Sequence, residues 1–452
     1  MKRAIVLSAF VWVEFCGAQQ PRFDGKTWWH HVEVLAADNM EGRETGSPGL
    51  RRAEAYLVEQ LQKAGIAPAG TNGYYQSVKF EKREIVEKDS SAALVRIGKV
   101  ESLDIGEHAF FTCVVDLAPK VEAPLVFVGY GMRIPEEGYD DFAGLDLRGK
   151  VAVTIAGTPE GIQGPLGAHY AELSQRLRAF REAGAIGWIM MTRPEVKWSS
   201  VAGERALSIT HLADDEFDDS KGLQLFMWYN SAYSDKLFDG SGHTPAELFA
   251  LAKEHKPLPT FTLPVSIRAV VRMLKKPMQS DNVLAKLEGS DPKLKNEYVV
   301  LSAHIDGHGI GEPVNGDRIY NGAIDNASGS AVLLDVAAEL KRAGTRPKRS
   351  LLFAFFTGEE KGMLGSRYFT ARPTAERKSI VTNLNVDGVH AILPSKALLL
   401  LGMDESDIGA AARRVTAAQG ISFATDTEPQ ANRFTCCSDQ RYFILHGIPA
   451  IN

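Results

Sequence analysis

The feature that most constrains the fold of this chain is a regular alternation of predicted strands and helices after residue 281. Apolar runs typical of buried strands lie at residues 298–303, 351–356 and 380–386, and helical patterns at 328–343 and 364–370 separate them. Two parallel strands need a crossover connection, usually a helix, so this order predicts an α/β fold with a mostly parallel central sheet flanked by helices. Ligands of such sheets bind at the carboxyl ends of the strands.

The part of the chain before this alternation has a different pattern. Residues 28–66 look helical, with a Gly-Ser-Pro-Gly turn at 46–49 that begins the second half of this stretch. Between residues 97 and 271, short β-rich runs are separated by Gly and Pro. Because 452 residues are too many for one small core, we expect two units. They are a main domain formed by residues 19–96 and 272–452, and an inserted β-rich domain at 97–271.

The charge of the chain argues against one class of partner. Its 51 Lys and Arg residues are nearly balanced by 56 Asp and Glu residues, which gives a formal net charge of -5. The basic residues form no long block, whereas binding to a phosphate backbone depends on clustered positive charge. We therefore expect no nucleic-acid partner.

The first residues have the pattern of a secretory signal peptide. A basic start, Met1 to Arg3, is followed by an apolar stretch at residues 4–13 and by small residues that end at Ala18. Glu14 departs from this pattern, and a buried N-terminal strand is the alternative. No later run approaches the roughly 20 apolar residues that span a bilayer. We expect a signal peptide at residues 1–18 and a secreted or periplasmic protein without a membrane span.

Three cysteines remain after removal of this segment, namely Cys113, Cys436 and Cys437. Three are too few for a disulfide framework. Adjacent cysteines rarely bond to each other because the bridge is strained. A bridge from either of the pair to Cys113 or to an unseen residue, and three free thiols, both stay open.

Polar residues follow each of the three apolar strands at its end. His304 and Asp306 come directly after the first of them. A histidine at a strand end beside a carboxylate is a common zinc-ligand arrangement, in which the acid holds the imidazole ring in orientation. Alone, this pair would be more typical of a surface loop than of a metal site.

Asp325 opens the helix that follows, with Gly322 and Gly329 on either side of it. A carboxylate at this position could bridge two metal ions with one oxygen on each. Capping of the helix N-terminus, by Asp325 or by Asn326, is the structural alternative.

The second and third strands deliver three more acids. Glu359 and Glu360 follow the apolar run 351–356, and Asp387 ends the run that begins at residue 380. Successive residues point in different directions, so one acid of the pair can bind metal while the other faces an attacking water molecule. Acids gathered beside a histidine would repel one another without a cation among them. Together with His304, these residues predict a metal site.

Taken in order, these motifs resemble the M28 family of zinc peptidases. The motifs are His-x-Asp at 304–306, Asn-Gly-Ala-Ile-Asp-Asn-Ala-Ser-Gly at 321–329, Thr-Gly-Glu-Glu at 357–360, Asn-Val-Asp at 385–387, Ser-Asp-Gln-Arg-Tyr-Phe at 438–443 and Gly-Ile-Pro-Ala at 447–450. The segment with Gly-Tyr-Gly at 129–131 is similar to the protease-associated domain often inserted in this family.

The resemblance implies a role for each of these side chains. His304 and Asp387 would bind one zinc ion, Asp325 would bridge two, and Glu360 would bind the second. Glu359 would be the general base. The activity expected is that of a metallopeptidase, with an aminopeptidase favoured, which hydrolyses N-terminal bonds of a peptide or protein substrate with water activated by two zinc ions.

Two further expectations follow from the resemblance. Asp306 would orient His304. The second zinc of the family normally takes a histidine from a stretch downstream of the Gly-Ile-Pro motif, and the sequence ends at Asn452, directly after that motif. We therefore expect a C-terminally truncated chain whose second zinc site is incomplete, with His446 as the only substitute considered.

Three alternatives stay open at this point. The M20 carboxypeptidases use a similar order of ligands, but their extra domain follows the paired acids, whereas here it precedes His304. A glutaminyl-cyclase-like transferase would use the same fold with a single zinc. A receptor-like relative would have lost catalysis, although such proteins usually lose ligands or the base, and all are present here.

Overall fold

The structure is a computed structural model that describes residues 21–23, 25–159, 161–162, 164–203, 206–389, 397–423 and 438–452. The predicted signal peptide at 1–18 lies outside the described residues, as do Cys436 and Cys437. Cys113 is buried and has no disulfide partner among the residues that the structure describes. None of the helices in the described part of the chain has the length and apolar character that crossing a bilayer requires.

The strands of the described residues are numbered along the chain. They are β1 (Ala67–Pro68), β2 (Tyr75–Ile85), β3 (Ser91–Arg96), β4 (Lys99–Leu103), β5 (Ala109–Phe111), β6 (Lys120–Val128), β7 (Arg133–Ile134), β8 (Tyr139–Asp140), β9 (Val151–Ile155), β10 (Gly187–Met191), β11 (Ser208–Leu212), β12 (Leu225–Tyr229), β13 (Thr260–Val270), β14 (Met273–Leu287), β15 (Tyr298–His304), β16 (Gly309–Val314), β17 (Asp317–Tyr320), β18 (Ser350–Phe356), β19 (Ile380–Asn385), β20 (Ala397–Leu398), β21 (Ser422–Phe423) and β22 (Ala450–Ile451).

The helices are numbered in the same way. They are α1 (Lys26–Leu35), α2 (Pro48–Lys63), α3 (Gly164–Ala171), α4 (Leu173–Glu182), α5 (Trp198–Gly203), α6 (Asp235–Phe238), α7 (Pro245–Lys253), α8 (Gly329–Arg342), α9 (Leu364–Ala371), α10 (Asp407–Ala418) and α11 (Gln440–Leu445). Shorter helical turns lie at Asp38–Arg43, Glu87–Asp89, Pro135–Glu137, Asp215–Phe217, Ser231–Tyr233, Ala323–Ser328 and Arg377–Ser379.

One eight-stranded sheet, called the site sheet below, has the order β11-β2-β14-β18-β15-β19-β22, with β1 paired to β14. The pairings among β18, β15, β19 and β22 are parallel, as predicted from the alternation of strands and helices. The other half is antiparallel, because β2 and β14 flank the inserted residues and run alongside each other as two long arms. The sheet is therefore mixed, and its parallel half carries the polar motifs.

Helices cover both faces of the site sheet. On one face, α2 begins with the Ser47 side chain capping the Leu50 amide, and its apolar side packs with α8 against Phe353 and Phe355 of β18. On the other face, Phe369 of α9 and Phe443 of α11 lie in the cluster that covers the opposite residues of β18. All seven residues of β18 are buried, which explains its continuous apolar sequence.

A second eight-stranded sheet has the order β4-β3-β13-β6-β9-β10-β12-β5 and an apolar core of its own. All of its strands except β3 lie within residues 97–271, and one strand of that range, β11, belongs to the site sheet. β3 lies within residues 19–96, which were expected in the main domain, yet it pairs with β13 of the second sheet. β11 lies within 97–271, yet it pairs with the open edge of β2 in the site sheet.

Contacts between the two units hold the inserted segment beside the carboxyl ends of the parallel strands. Arg441 of α11 makes a hydrogen-bonded ion pair with Glu172, which precedes α4. Arg367 of α9 donates hydrogen bonds of 2.8 Å to a carboxylate oxygen of Asp219 and to the carbonyl oxygen of Phe217. The inserted segment therefore forms one wall of the cleft next to the candidate site.

Candidate metal centre

The strand ends of the site sheet bring the predicted acids and histidine together. His304 is the last residue of β15, and Asp387 follows β19 by two residues. Glu359 and Glu360 lie in the turn after β18, and Asp325 lies in the helical turn that leads into α8. These elements are neighbours because β15 pairs on one side with β18 and on the other with β19.

Three of these side chains point their ligand atoms at one another. His304 Nε2 lies 3.0 Å from Oδ1 of Asp325 and 3.2 Å from Oδ1 of Asp387. The three ligand atoms all lie within 4.8 Å of one another. One imidazole and two carboxylates form a donor set that zinc accepts, with a position left open for water or substrate. The residues present therefore fit the metal ion that the sequence predicts.

The charges of this group call for a cation. Burial would lower the pKa of His304, but hydrogen bonds to Asp325 and Asp387 outweigh that effect and raise the pKa well above its ordinary value. The hydrogen bond from His304 in turn lowers the pKa of Asp325. Two carboxylates so close together need one positive charge between them, which a protonated imidazole or a bound metal ion can supply.

Asp306 is fully buried and holds two other parts of the site. Its Oδ1 accepts a hydrogen bond of 3.0 Å from the Glu359 amide, and its Oδ2 accepts one of 2.8 Å from the Thr45 hydroxyl. The contact with His304 runs mainly through the main chain, since Nδ1 lies 3.2 Å from the Asp306 carbonyl oxygen and 3.8 Å from the carboxylate. Asp306 thus fixes the Glu359 backbone, a contact that the sequence did not predict.

Glu359 is placed as a proton-accepting group at the edge of the cluster. Burial raises its pKa to about 9, and the acids Asp439, Asp387 and Asp306 push in the same direction, while His304 opposes them. A cation beside His304 would lower this pKa and favour the ionised, basic form. The pKa of Glu359 therefore depends on the charge that His304, Asp325 and Asp387 hold between them.

Asn326 links the loop that carries Asp325 to the loop that carries Asp387. It is fully buried, and its Nδ2 donates a hydrogen bond of 2.8 Å to the Val386 carbonyl oxygen. Its Oδ1 accepts hydrogen bonds from the amides of Gly329, at 2.9 Å, and Gly388, at 3.2 Å. Asn326 therefore ties the start of α8 to the loop after β19, rather than acting only as a helix cap.

Arg43 binds main-chain carbonyl groups next to the site, and sequence reasoning missed it. Its buried guanidinium donates hydrogen bonds to the carbonyl oxygens of four residues, Leu35, Ile305, Asn321 and Gly322. Burial lowers the pKa of Arg43 to about 10, and the acids of the site oppose this shift. The guanidinium therefore still carries its charge at neutral pH. Only the fold brings Arg43 next to Ile305, because the two residues are 262 positions apart in the chain.

Glu360 faces a histidine that the sequence analysis also missed. His308 Nε2 lies 3.3 Å from Oε2 of Glu360, and Oε1 of Glu360 is buried without a hydrogen-bond partner among the described residues. Burial raises the pKa of Glu360, with His308 opposing the shift. The alternation His-x-Asp-x-His from 304 to 308 was the available signal, because alternate residues at a strand end can share a face.

His446 is engaged elsewhere. Its Nδ1 lies 2.8 Å from the Tyr442 carbonyl oxygen in the last turn of α11. Among the hydrogen bonds and ion pairs of the described residues, none joins His446 to Glu360 or to any of His304, Asp325 and Asp387. The structure therefore gives no support to His446 as the substitute ligand considered from the sequence.

Comparison with known proteins agrees with this geometry. Residues 282–452 match the model of Peptidase family M28. Leupeptin-inactivating enzyme 1 of Streptomyces exfoliatus is 30% identical over 169 residues, which are 37% of this chain and 34% of that protein. A probable leucine aminopeptidase 2 of Aspergillus fumigatus is 31% identical over 175 residues, which are 37% of this chain and 32% of that protein. The chain thus spans about a third of the length of these relatives.

A solved structure extends the comparison to the fold of the whole chain. The aminopeptidase from Aneurinibacillus sp. strain AM-1 superposes with a TM-score of 0.53 at 20% sequence identity, and the match covers 95% of this chain and 84% of that one. At this identity the likeness concerns the fold alone. Residues 282–452, which match the model of Peptidase family M28, contain His304, Asp325 and Asp387.

Proposed function

We propose that this chain is a zinc-dependent metallo-aminopeptidase that removes N-terminal residues from a peptide or protein substrate. The observation that carries this proposal is the meeting of His304, Asp325 and Asp387 at the strand ends, with the half-buried Glu359 next to them in the turn after β18. The name of one relative, a probable leucine aminopeptidase 2, supports cleavage next to an amino terminus.

The residues of the chain divide the work of hydrolysis. Zinc held by His304, Asp325 and Asp387 would supply Lewis acidity, which polarises the scissile carbonyl group and lowers the pKa of the attacking water. Glu359 accepts the proton of that water and later returns it to the leaving amine. Asp306 positions Glu359 through its main-chain amide. We infer a second zinc position at Glu360, with Asp325 shared between the two.

We infer that the substrate binds in the cleft beside Glu360. It has a volume of about 620 Å³ and is lined both by the main domain, for example Met278, and by β11 of the inserted segment. Apolar groups such as Ile209 lie in it next to charged ones such as Glu44 and Lys361. We infer that the inserted segment, a protease-associated domain in our proposal, helps to select the substrate without supplying a metal ligand.

The test is a comparison of two glutamine variants on a chromogenic aminoacyl anilide. Glu359→Gln keeps the shape of the side chain and removes the proton acceptor, so turnover should fall by on the order of a hundred- to ten-thousand-fold with zinc content unchanged. Glu59→Gln, an exposed residue on α2 paired with Lys63, is the matched control and should keep full activity.

Substrate variants separate the proposal from its rivals. Blocking the amino terminus of a peptide should abolish cleavage by an aminopeptidase, whereas a carboxypeptidase would still cleave it. A cyclase would convert an N-terminal glutamine without hydrolysing the next bond. Unchanged turnover in Glu359→Gln, or cleavage of blocked peptides at their carboxyl end, would contradict the assignment.

We also propose that residues 1–18 are a signal peptide and that the mature protein is secreted or periplasmic. The basic start, the apolar stretch and the small residues before Gln19 support this. N-terminal sequencing of the protein purified from its native source should begin at Gln19, and an intact Met1 would contradict the proposal.

A further inference from the structure

We propose that a cavity between the inserted segment and the turn after Glu360 binds an apolar residue of the peptide substrate, on the carboxyl side of the cleaved bond. This inference rests on the proposed function, because it extends the substrate cleft of the same enzyme. The position of the cavity, its apolar wall, its paired charges and one spare hydrogen-bond donor carry it.

The cavity adjoins the cleft beside Glu360, since Ile209, Thr210 and Lys361 line both spaces. Its volume of about 270 Å³ is close to the lower limit for ligand pockets and suits a single residue. None of the three metal-binding side chains is among the described residues that line it. In an aminopeptidase the one residue before the cleaved bond carries the carbonyl group that the metal polarises. A cavity set apart from the metal is therefore reached by the chain beyond that bond.

Both units contribute apolar side chains to the wall of the cavity. Leu177 of α4, Ile209 of β11 and Phe217 come from the inserted segment, and Met363 comes from the turn after β18. An apolar side chain that enters between them leaves water, which is favourable, and the flexible thioether of a methionine adapts to different shapes. The wall therefore favours an apolar substrate residue.

Met363 also connects the cavity to the general base. The amides of Gly362 and Met363 donate hydrogen bonds of 2.8 and 2.7 Å to the Glu359 carbonyl oxygen. Met363 has a φ of 57°, in the left-handed region that side chains other than glycine rarely adopt. A substrate residue packed on Met363 thus bears on the turn that holds Glu359, so its binding can raise turnover as well as affinity.

The charged groups that line the cavity already have partners, which argues against a charged ligand. Each of the four lining cations faces a carboxylate. The pairs are Arg83 with Glu81, Lys361 with Glu44, Arg367 with Asp219 and Arg441 with Glu172. The remaining lining acid, Asp218, lies 3.9 Å from Arg83. Burial lowers the pKa of His211 to about 4, so this lining residue is uncharged at neutral pH.

Arg83 keeps one hydrogen-bond donor to spare. The residue is 7% exposed, its Nε donates a hydrogen bond of 2.8 Å to Glu81, and its Nη1 is buried without a partner among the described residues. A buried donor without an acceptor is unfavourable. A main-chain carbonyl oxygen of the substrate is a neutral acceptor that leaves the ion pairs intact. In the proposed complex it accepts from Arg83, while the apolar side chain of the substrate fills the cavity.

The experiment measures kcat/KM of the zinc-loaded 452-residue chain on Leu-Gly-Gly-Gly and on three peptides with one more leucine at the second, third or fourth position. At one position leucine should raise kcat/KM at least about tenfold over glycine, and glutamate there should give no gain. In Ser174→Phe a ring from α4 fills the cavity, so the gain should fall below about twofold. Gln175→Phe is the matched control. It is the next residue of α4 and is not among the described lining residues, and it should keep the gain.

Binding is measured separately by calorimetry in the zinc-loaded Glu359→Gln variant, which should not consume the peptides. The leucine peptide with the highest kcat/KM should bind about tenfold more tightly than Leu-Gly-Gly-Gly. Adding Arg83→Lys keeps the charge beside Glu81 but cannot also place a donor at the Nη1 position, so this peptide should bind about tenfold more weakly. Thermal unfolding checks that each variant is folded.

Equal kcat/KM for leucine and glycine at all three positions, a larger gain with glutamate, or an unchanged gain in folded Ser174→Phe would overturn the assignment. If Ser174→Phe does not fold, the glutamate peptide and Arg83→Lys still decide, because unchanged binding in Arg83→Lys also counts against it. Failure of the proposed function looks different. Neither the peptides nor a leucyl anilide would then be hydrolysed, whereas calorimetry would still distinguish leucine from glycine.

Discussion

Replacement of Asn326 by alanine tests whether one buried amide holds the two acidic loops of the ligand group together. In the structure this side chain makes three hydrogen bonds, one donated to Val386 and two accepted from Gly329 and Gly388, with lengths of 2.8 to 3.2 Å. Alanine removes all three and leaves buried main-chain groups without these partners. Each lost bond costs about 0.5 to 1.5 kcal/mol, so the variant should be less stable by about 2 to 4 kcal/mol.

The same change should weaken metal binding. Asp325 precedes Asn326 directly, and Asp387 lies between Val386 and Gly388, so the three bonds set the distance between the two carboxylates. Loss of such a support typically costs 10- to 100-fold in metal affinity, of order 1.4 to 2.8 kcal/mol. Asn326→Asp is the matched variant, because it keeps an acceptor oxygen for Gly329 and Gly388 and replaces the amide donor to Val386 by an ionisable carboxyl oxygen.

Urea unfolding of the apoprotein gives the stability term, and a Zn²⁺ titration gives the affinity term. We expect Asn326→Asp to lie between wild type and Asn326→Ala in affinity, since the two hydrogen bonds accepted from Gly329 and Gly388 survive. A loss of stability below about 0.5 kcal/mol together with unchanged zinc affinity in Asn326→Ala would refute the reasoning, because Asn326 would then be a passive cap of α8.

Two other predictions follow from buried positions near the site. Gly329→Ala should destabilise the protein by about 1 to 3 kcal/mol in urea unfolding, because its Cβ would lie 2.4 Å from the Val386 carbonyl oxygen; unchanged stability would contradict this. Burial raises the pKa of Glu54 to about 7 from an ordinary value near 4.5, so stability should fall as pH rises between these values, by about 3 kcal/mol in total. Glu54→Gln should remove that fall, and an unaltered pH profile would count against it.

The site residues that could be predicted are those that directly follow strands. His304, Asp387 and the pair Glu359 and Glu360 each follow an apolar run, and parallel strands bring their carboxyl ends to one edge of a sheet. Asp325 was predictable from the glycines around it. For these residues, local pattern and global topology point to the same place, which is why the sequence alone located the cluster.

The parts that escaped prediction depend on contacts between distant segments. Arg43 lies in a short helical turn, and nothing in its neighbourhood marks it as the group that binds the Ile305 and Gly322 carbonyl oxygens. The antiparallel half of the site sheet arises because β2 and β14 meet across the inserted residues. Strand β11 crosses from the inserted segment to the edge of β2, and a short five-residue strand does not specify which edge it joins.

Orientation of His304 shows a finer limit of sequence reasoning. The motif His-x-Asp suggested a carboxylate on the imidazole, but Nδ1 lies closer to the Asp306 carbonyl oxygen than to its carboxylate. The carboxylate instead binds Thr45 and the Glu359 amide. A motif specifies which residues meet, whereas the atoms through which they meet depend on the backbone path after β15.

The measurement that tests the central claim most directly is anomalous diffraction at the zinc absorption edge from crystals of the zinc-loaded protein. We predict an anomalous peak within roughly 2.0 to 2.2 Å of His304 Nε2 and of one oxygen each from Asp325 and Asp387. A zinc ion bound by other residues, with no peak among these three side chains at saturating zinc, would contradict the account.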